Sequence, residues 1–511
     1  MPGQKDYVHI GLWTYAVRVI QAPKRAVIIE IRAFAIIPVM RKYCVATPLY
    51  RVNRRPGIGH ARTAVEADIL ARHMRAQGRE ALLLTGTDGY GAEVEKLSAE
   101  RGIRPEARAA EVSGDFSRAW KLLNISHDIF VDTTDRENGR KAGAAFGKLI
   151  GTGGIYSGPR GGFYCSSCEI SYGSGGLCPV HSLPLEKAAG TAFFFRLSKY
   201  EKALLRHYKD NPGFLSPAGP AREIRDLVEA GLKDMEVSRE RTGWGIKLPD
   251  RDGVIGARFG AALCGVYACG RAWPPAVQFS DRENFPFFSV LWPAALMALG
   301  LALPERIHLC DGTPAPRRAP DDANPSDLIR DYGVDALRYF LVRGASGRGR
   351  GGFSREELRS VYNSDLSGEI GTLAARVVSL SGAYLDSRFP AKPEEGHCAA
   401  FSELRAAEKR IFAEIEELRP GRALERILAA VRALNRRIDS EKPREKAGSN
   451  PTELKNFLKD MVWSLRLVAD WLYPFMPDTS AKMQMLMSIG RPAAEGIDPQ
   501  KISPLFPRRD Y

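Results

Sequence analysis

The sequence predicts an α/β domain that is interrupted by a cysteine-bearing insertion and followed by a helical bundle. Three observations indicate this order. From residue 43 to about residue 154, short apolar runs alternate with helical patterns, as is typical of βαβ units on a parallel sheet. A glycine-rich segment with paired cysteines then breaks the alternation. From about residue 355 onward only helical periodicity remains.

The first half of the α/β domain contains candidate strands in the runs CVATPLYRV, EALLLTGTD and DIFVDTT. Between the first run and a long helical pattern lies RPGIGHART, residues 55–63. A strand-to-helix turn of this kind can bind phosphate, because the first turn of a helix has unpaired N–H groups. Gly57, Gly59 and His60 are therefore candidate nucleotide-binding residues. The alternative is that His60 only caps or packs the helix.

The insertion contains YCSSCEISYGSGGLCPVH, in which Cys165 and Cys168 form a CxxC pair and Cys178 and His181 form a CxxH pair. Three thiolates and one imidazole complete a tetrahedral shell without an open position, so the pattern predicts a structural zinc site. The alternative is that two unrelated pairs occur by chance. After the insertion, WGIKLP at residues 244–249 predicts a strand in the second half of the domain.

Three amphipathic stretches form the C-terminal part, and they contain RSVYNSDLSGEIGTLAARVVSLSGAYL, ALERILAAVRALNRRIDSEKP and LKNFLKDMVWSLRLVADWLYPFM. Their three- and four-residue spacing predicts a helical bundle. Leu424, Ile427, Leu428 and Val431 are predicted to lie in its core.

Composition limits the partners and the compartment. The net charge of +14 favours a polyanion such as nucleic acid, although solvation alone could also explain it. The eight cysteines are mostly scattered in a long chain, which favours a reducing compartment. The apolar run AVIIEIRAFAIIPV contains Glu30 and Arg32 and is shorter than the ~20 residues of a membrane helix. No signal-peptide pattern is present, so a cytoplasmic protein without a membrane span is expected.

The order of these parts resembles methionyl-tRNA synthetases, a family of class I aminoacyl-tRNA synthetases. The segments that carry the resemblance include ATPLYRVN, LLLTGTDGYG, YCSSCE, LCPVH, WGIKLP, NFPFFSVLWPAALMALGL, NPSDLIRDYGVDALRYFLVR and PFMPDTSAKM. The resemblance implies a Rossmann-type catalytic domain split by a zinc-knuckle insertion, followed by an α-helical anticodon-binding bundle. The implied parts are an N-terminal extension (1–42), the first half of the catalytic domain (43–154), the insertion (155–243), the second half (244–350) and the anticodon-binding domain (351–511).

The same resemblance implies catalytic residues. Residues 57–60 correspond to the HxGH signature, with Gly57 in place of the first histidine, and His60 would stabilise the phosphates of ATP. Asp88 would bind the ammonium group of the amino acid. The KMSKS loop corresponds to TPAPRRAP, in which Pro314 takes the place of the first lysine and Arg317 that of the second. His60, Asp88 and Arg317 are thus the implied catalytic residues.

The substrate pockets are implied in the same way. Leu49, Arg51, Asp88 and Arg258 occupy the amino-acid pocket, where the family has a tyrosine and a tryptophan at the two arginine positions. ATP would also contact Arg282 and Glu283. Two guanidinium groups in an apolar pocket are costly to bury unless they are paired.

In the bundle, the positions that read the anticodon correspond to Thr372, Arg376 and Arg444. Arg444 could stack on a base through its guanidinium plane. The alternative is that Arg376 and Arg444 are exposed helix charges.

Two functions remain open on the sequence alone. The first is a synthetase that binds ATP, methionine and tRNA and carries one structural zinc ion. It is expected to be a monomer, since no sequence resembling a C-terminal dimerisation module follows the bundle. The second is a catalytically degenerate paralogue that binds tRNA or a partner protein without aminoacylation. The product of a decaying gene, with little function, is a third alternative.

Overall fold

The structure is a computed structural model. It describes residues 42–165, 170–179, 182–187, 189–239, 243–249, 252–310, 324–343, 353–385, 398–487 and 504–509, together with the backbone of three strands before residue 42. The chain divides into two compact units, Met1–Lys42 and Tyr43–Tyr511.

The first unit contains an antiparallel three-stranded sheet in the order β1-β2-β3. Its strands are β1 (Asp6–Ile10), β2 (Trp13–Gln21) and β3 (Val27–Ala35). The apolar run that the sequence analysis rejected as a membrane helix contains β3. Among the described residues, no helix has the length and the apolar character needed to cross a membrane.

Among its described residues, the second unit contains fourteen strands and seventeen α-helices, besides short 3-10 and π-helical segments. The strands are β4 (Tyr43–Arg51), β5 (Ala81–Asp88), β6 (Ile129–Asp132), β7 (Ile155–Pro159), β8 (Phe163–Cys165), β9 (Ile170–Tyr172), β10 (Glu186–Lys187), β11 (Thr191–Phe195), β12 (Leu215–Ser216), β13 (Met235–Glu236), β14 (Ser238–Arg239), β15 (Val254–Ile255), β16 (Val277–Ser280) and β17 (Arg306–Leu309). The helices are α1 (Ile58–Ala76), α2 (Ala92–Glu100), α3 (Pro105–Leu122), α4 (Arg136–Gly151), α5 (Glu201–Asp210), α6 (Ala218–Glu229), α7 (Ala257–Ala268), α8 (Trp292–Leu299), α9 (Pro325–Tyr332), α10 (Val334–Arg343), α11 (Arg355–Val361), α12 (Thr372–Tyr384), α13 (Ala399–Glu416), α14 (Pro420–Glu441), α15 (Pro443–Ser449), α16 (Pro451–Leu472) and α17 (Pro477–Met487).

A six-stranded sheet in the order β12-β17-β16-β4-β5-β6 forms the centre of this unit. Every neighbouring pair in it is parallel, so the predicted α/β class is confirmed. The chain builds outward from β4 in one direction through β5 and β6, and later in the other direction through β16 and β17. The boundary between β4 and β16 is therefore a topological switch point, and ligands bind at the carboxyl ends of the strands at such points.

Residues 155–243 contain two short antiparallel sheets, in the orders β10-β8-β9 and β13-β11-β7, together with α5, α6 and strand β12, which pairs with β17 of the central sheet. The predicted strand at residues 244–249 is wrong, because only an isolated bridge between Lys247 and Val254 forms there. Ile255 N donates to Ile246 O at 2.8 Å, so the segment turns back on itself instead of joining the parallel sheet. The indole of Trp244 donates to Gly89 O at 2.7 Å and ties this turn to the end of β5.

The C-terminal helices form the predicted bundle. Leu424, Ile427, Leu428 and Val431 are at most 2% exposed, which confirms them as core residues. The same apolar cluster continues into the side of the central sheet that α1 covers, where it includes Val45. Bundle and sheet therefore share one core, which the sequence periodicity did not reveal.

A buried ion pair joins α1 to α10, and Arg338 extends the connection to the bundle. Arg338 on α10 donates from Nη2 to Asp68 Oδ2 on α1 at 2.7 Å, and both side chains have no exposed surface. Arg72 donates to the same carboxylate at 2.8 Å, and the backbone N–H of Ser126 donates to its other oxygen at 2.7 Å. Arg338 also donates to the carbonyl of Phe475 at 2.9 Å.

Candidate active site

A pocket of about 620 Å³, including its open mouth, lies at the switch point of the central sheet. Its lining comes mainly from β4, the end of β5 and helix α7, and α8 contributes Trp292. Its lining consists of Ala46, Thr47, Pro48, Leu49, Arg51, Leu84, Asp88, Arg258, Ala261, Ala262, Gly265, Cys269, Trp273, Pro275, Gln278, Asn284, Phe287, Phe288 and Trp292.

The structure brings together the four residues that the sequence assigned to the amino-acid pocket. Leu49 and Arg51 lie at the end of β4, Asp88 ends β5, and Arg258 lies in the first turn of α7. The carboxylate of Asp88 is only 2% exposed. Thr133 Oγ1 donates to Asp88 Oδ1 at 3.2 Å, which fixes the side chain at the pocket.

Both pocket arginines have a carboxylate nearby. Arg258 Nη2 lies 2.7 Å from Glu283 Oε1, and Arg51 Nη2 lies 3.9 Å from Glu93 Oε2. The side chains of Arg258 and Arg51 are 13% and 11% exposed. These pairs offset the desolvation cost of two guanidinium groups at the edge of an apolar pocket.

Two buried donors in the pocket lining lack a hydrogen-bond partner among the described residues. They are Nε of Arg258 and the indole Nε1 of Trp292. Trp292 is 3% exposed and packs edge-on against Phe288, with ring centroids 5.3 Å apart.

The nucleotide-binding candidates lie at the N-terminus of α1, outside the lining of this pocket. Gly57 precedes the helix in an extended conformation (φ −120°, ψ −179°), and its N–H donates to His60 Nδ1 at 3.1 Å. No heavy atom among the described residues outside its chain neighbours lies within 4 Å of the point where a Cβ of residue 57 would be. The turn therefore has room for a ligand or for a larger side chain.

The imidazole of His60 packs against Tyr50 and Phe116, each with a centroid distance of 5.3 Å. Desolvation of the ring, with a smaller contribution from the guanidinium of Arg54, lowers the pKa of His60 to about 3. The ring is therefore neutral near pH 7. Since Nδ1 accepts from Gly57, Nε2 carries the proton and can donate it to a ligand. His60 thus caps the helix, as the alternative held, and still has a donor to offer.

Comparison with known proteins fits this geometry. The sequence model of a family described as tRNA synthetases class I (M) matches residues 43–192, 183–255 and 271–378. The chain is 32% identical to a methionine–tRNA ligase of Caldanaerobacter subterraneus over 87% of this chain and 73% of that protein. It is also 32% identical to a methionine–tRNA ligase of Rickettsia bellii over 86% of this chain and 91% of that protein. This chain belongs to the methionyl-tRNA synthetase family.

Solved structures agree with this assignment. The methionyl-tRNA synthetase of Mycobacterium tuberculosis in complex with methionyl-adenylate superposes with a TM-score of 0.83 at 27% identity. The match covers 92% of this chain and all of that one. The apo form of the same protein gives a TM-score of 0.77.

The remaining ATP candidates of this synthetase-like chain lie near the pocket mouth or outside the described residues. Glu283 is held by Arg258, and Arg282 Nη1 lies 3.8 Å from Glu223 Oε2 at the surface. Arg317 and the rest of the KMSKS-like loop belong to residues 311–323, which are not among the described residues.

The zinc ligands that the sequence predicts are described only in part. Cys165 and Cys178 are each 1% exposed and are the buried members of a small cluster in the insertion. Ser182 N donates to Cys178 O at 2.8 Å, so Cys178 begins a tight turn. Cys168 and His181 lie outside the described residues. Among the described residues no group of three or more metal-ligand side chains comes together.

In the bundle of this family member, the two implied anticodon residues differ. The guanidinium of Arg376 on α12 pairs with Asp439 and donates to the carbonyl of Asn435 at 3.4 Å. Arg444 lies exposed in the first turn of α15. Arg376 is thus half-buried and ion-paired, whereas Arg444 is exposed.

Several pocket residues escaped the sequence analysis as site residues. Trp273, Gln278, Phe287 and Trp292 line the pocket, although the sequence analysis assigned none of them to a site. Phe287–Leu291 forms a π-helical turn before α8. Such turns often occur at functional sites, but nothing in the local spacing distinguishes a pocket wall from a core.

Proposed function

We propose that this chain activates an amino acid with ATP and transfers it to tRNA, the reaction type that the name methionine–tRNA ligase describes for its relatives. The observation that supports this most directly is the pocket at the switch point of the sheet, with the buried carboxylate of Asp88 in its lining. A buried carboxylate in an apolar pocket suits the ammonium group of an amino acid.

In the first step, an oxygen of the amino-acid carboxylate attacks the α-phosphorus of ATP, and the bond to pyrophosphate breaks. Asp88 orients the amino acid through its ammonium group. His60 donates from Nε2 to a phosphate oxygen, and the unpaired N–H groups at the start of α1 add positive potential there. Arg282, Glu283 and, from the loop, Arg317 complete the proposed ATP site. The gain comes mostly from positioning and from charge stabilisation in the transition state.

In the second step, a hydroxyl of the terminal ribose of tRNA attacks the activated carbonyl, and AMP leaves. The bundle would hold the tRNA through charge, with Arg376 and Arg444 as the proposed anticodon contacts. Since Arg376 is paired with Asp439, binding through Arg376 requires exchange of that partner. The net charge of +14 supports phosphate contacts, so affinity should fall steeply with salt.

Methionine activation should be slow compared with that of other synthetases, because Gly57 and Pro314 replace groups that act on charge developed in the transition state. The test is methionine-dependent exchange of pyrophosphate into ATP, followed by charging of tRNA. His60→Ala should lower the exchange rate by about 10²-fold with little change in the KM for ATP. An absence of exchange with all twenty amino acids, together with retained tRNA binding, would instead establish the degenerate paralogue.

A structural zinc ion in the insertion is part of the proposal, with Cys165, Cys168, Cys178 and His181 as ligands. Cys165 and Cys178 fit this role, because they are the buried members of a small cluster in the insertion. Among the described residues, only two partly buried apolar side chains, Tyr172 and Leu185, pack against them, so a metal would stabilise a segment that has little apolar core. The ion would serve as a cross-link in place of a core. Elemental analysis should give one zinc per chain, and Cys178→Ser should abolish it. A folded insertion without metal would contradict the assignment.

We also assign the domain limits 1–42, 43–154, 155–243, 244–350 and 351–511, and a cytoplasmic monomer, as parts of this proposal. The shared core of sheet and bundle supports a rigid connection between the catalytic and the anticodon-binding parts.

A further inference from the structure

We infer that the exposed side of helix α5 in the insertion binds the phosphate backbone of the acceptor arm of tRNA. The inference rests on the proposed function, because it names the surface that would hold one arm of that tRNA. We call this surface the basic face of α5. It consists of Lys199, Lys202, Arg206 and Lys209.

The spacing places these four cations on one side of the helix. They are separated by three, four and three residues, which matches about 3.6 residues per turn. Lys199 lies in the 3-10 turn that leads into α5, and the other three span about 10 Å along the axis, at about 1.5 Å per residue. All four are exposed, whereas Leu204 and Tyr208 on the opposite side are 0% and 1% exposed. The basic face is thus a continuous stripe that can contact more than one phosphate.

The charges of the stripe are not neutralised within the described part of the chain. None of its four side chains forms an ion pair or a hydrogen bond there. Glu201, the first residue of α5, accepts from the backbone N–H of Leu232 at 3.1 Å and so is held toward the end of α6. Asp210 ends the helix and forms no ion pair with the stripe among the described residues.

This arrangement differs from that of other exposed helices in the chain. On α4, Arg140 has Glu137 three residues away, at 2.8 Å. On α13, Arg405 has Glu408 at the same spacing, at 2.6 Å. On α5 the positions three and four residues apart carry like charges, which destabilise a helix where opposite charges would stabilise it. A bound polyanion would supply the missing negative charge.

Helix α5 also lies directly behind a wall of the candidate active site. The hydroxyl of Tyr208 donates to the carbonyl of Ser289 at 2.6 Å. Ser289 belongs to the π-helical turn Phe287–Leu291, and Phe287 and Phe288 line the pocket. Since a helix with its side chains is only about 10 Å thick, the basic face lies close to this wall.

This position favours the acceptor arm over the other parts of tRNA. The proposed second step takes place at the terminal ribose, so the end of the acceptor arm must reach the pocket. The phosphates next to that end therefore come close to α5. Lysine and arginine contacts with phosphates depend on charge and not on base sequence, which suits an exposed stripe without aromatic side chains.

The experiment measures equilibrium binding of the full chain to two RNA probes over a range of salt concentrations. One probe is a minihelix with the acceptor and T arms of tRNA, and the other is a hairpin with the anticodon arm. The stripe variant combines Lys199→Gln, Lys202→Gln, Arg206→Gln and Lys209→Gln. Glutamine is a good helix former, so α5 should persist.

The stripe variant should bind the minihelix at least about tenfold more weakly at 0.1 M salt, with little change for the hairpin. The slope of log affinity against log salt for the minihelix should become shallower by about 2 to 3, since each phosphate contact contributes roughly 0.7 to 0.9. In charging assays with whole tRNA, the KM for tRNA should rise accordingly.

A matched control variant removes the same number of exposed cations from four other helices. It combines Lys96→Gln, Lys121→Gln, Arg136→Gln and Lys482→Gln. Both variants have the same net charge, but the control leaves the stripe intact, so its slope for the minihelix should stay within about 1 of the wild-type value. A third variant, with Lys199→Arg, Lys202→Arg, Arg206→Lys and Lys209→Arg, keeps the charges and should bind as the wild type does.

The outcomes separate this inference from the proposed function. Equal losses in the stripe and control variants would show that only net charge matters and would overturn the inference. A loss of hairpin binding in place of minihelix binding would assign the stripe to the wrong arm, and unchanged binding of both probes would also overturn it. If the wild type charges no tRNA, the proposed function fails, and the binding measurements still decide the inference.

Discussion

The N-terminus of helix α1 and its middle, around Asp68, are built in different ways. At its N-terminus, Gly57 has open space around its Cβ position and no side chain caps the helix except the ring of His60. Three turns later, Asp68 is fully buried, and its carboxylate receives hydrogen bonds from Arg338, Arg72 and Ser126. The N-terminus faces the candidate nucleotide site, and the middle of the helix is bonded to α10.

The difference shows how the signature sequence can change while the fold persists. The free energy of folding depends on Asp68 and its partners, because removal of one member leaves a buried charge uncompensated. Residue 57 contacts little, so its identity can vary with little cost in stability. Altered chemistry and a retained fold are thus compatible within a single helix.

The largest effect on stability is expected at Asp68. Asp68→Ala should lower the free energy of unfolding by about 3 to 5 kcal/mol, because the fully buried guanidinium of Arg338 loses its partner. Urea unfolding monitored by circular dichroism measures this. Glu137→Ala, which breaks an exposed pair with Arg140 on α4, is the control and should leave stability nearly unchanged. Equal losses in the free energy of unfolding for the two variants would show that the buried Asp68–Arg338 pair contributes no more to stability than an exposed pair.

An intermediate effect is expected from His60 as a function of pH. Its pKa is about 3 in the folded chain and about 6.5 in the unfolded chain, so the unfolded state binds the proton between these values. Above about pH 6.5, the low pKa of His60 does not reduce the free energy of unfolding. As the pH falls below this value, the free energy of unfolding decreases by up to about 1.4 kcal/mol per pH unit, because only the unfolded chain binds the proton.

His60→Gln should lack this dependence, because an amide does not titrate and its oxygen can still accept from Gly57. The difference in urea midpoint between wild type and this variant should therefore shrink or reverse between pH 6.5 and pH 4.5. Parallel stability curves for the two proteins would show that His60 keeps an ordinary pKa.

The smallest effect is expected at the open end. Gly57→His should change the free energy of unfolding by no more than about 0.5 kcal/mol, since its backbone is extended and the space is open. Methionine-dependent exchange should rise less than tenfold, because the loop with Pro314 and Arg317 is unchanged and the two elements act together in the transition state. A rise of 10²-fold or more would show that the first histidine alone limits the rate.

Much of the fold could be predicted because its signals are local. The strand runs at 44–52 and 80–88 correspond to β4 and β5, and helical spacing predicted α14 and α16. The predicted strand at 244–249 is wrong. The short apolar pattern of this segment fits a strand, but its hydrogen bonds go to residues 253–255 and to Gly89. Local pattern fixes which face of a segment is apolar, but it does not identify the segment's partner.

The sequence by itself determined the α/β class, the helical bundle and, through resemblance, the positions of Leu49, Arg51, Asp88 and Arg258. Only the tertiary structure decided that Glu283 pairs with Arg258 and that Trp292 lines the same pocket. The physical reason is that burial and pairing depend on residues far apart in the chain. Trp292 stands in an apolar segment of the sequence and becomes part of the pocket wall only after the sheet, α7 and α8 have packed together.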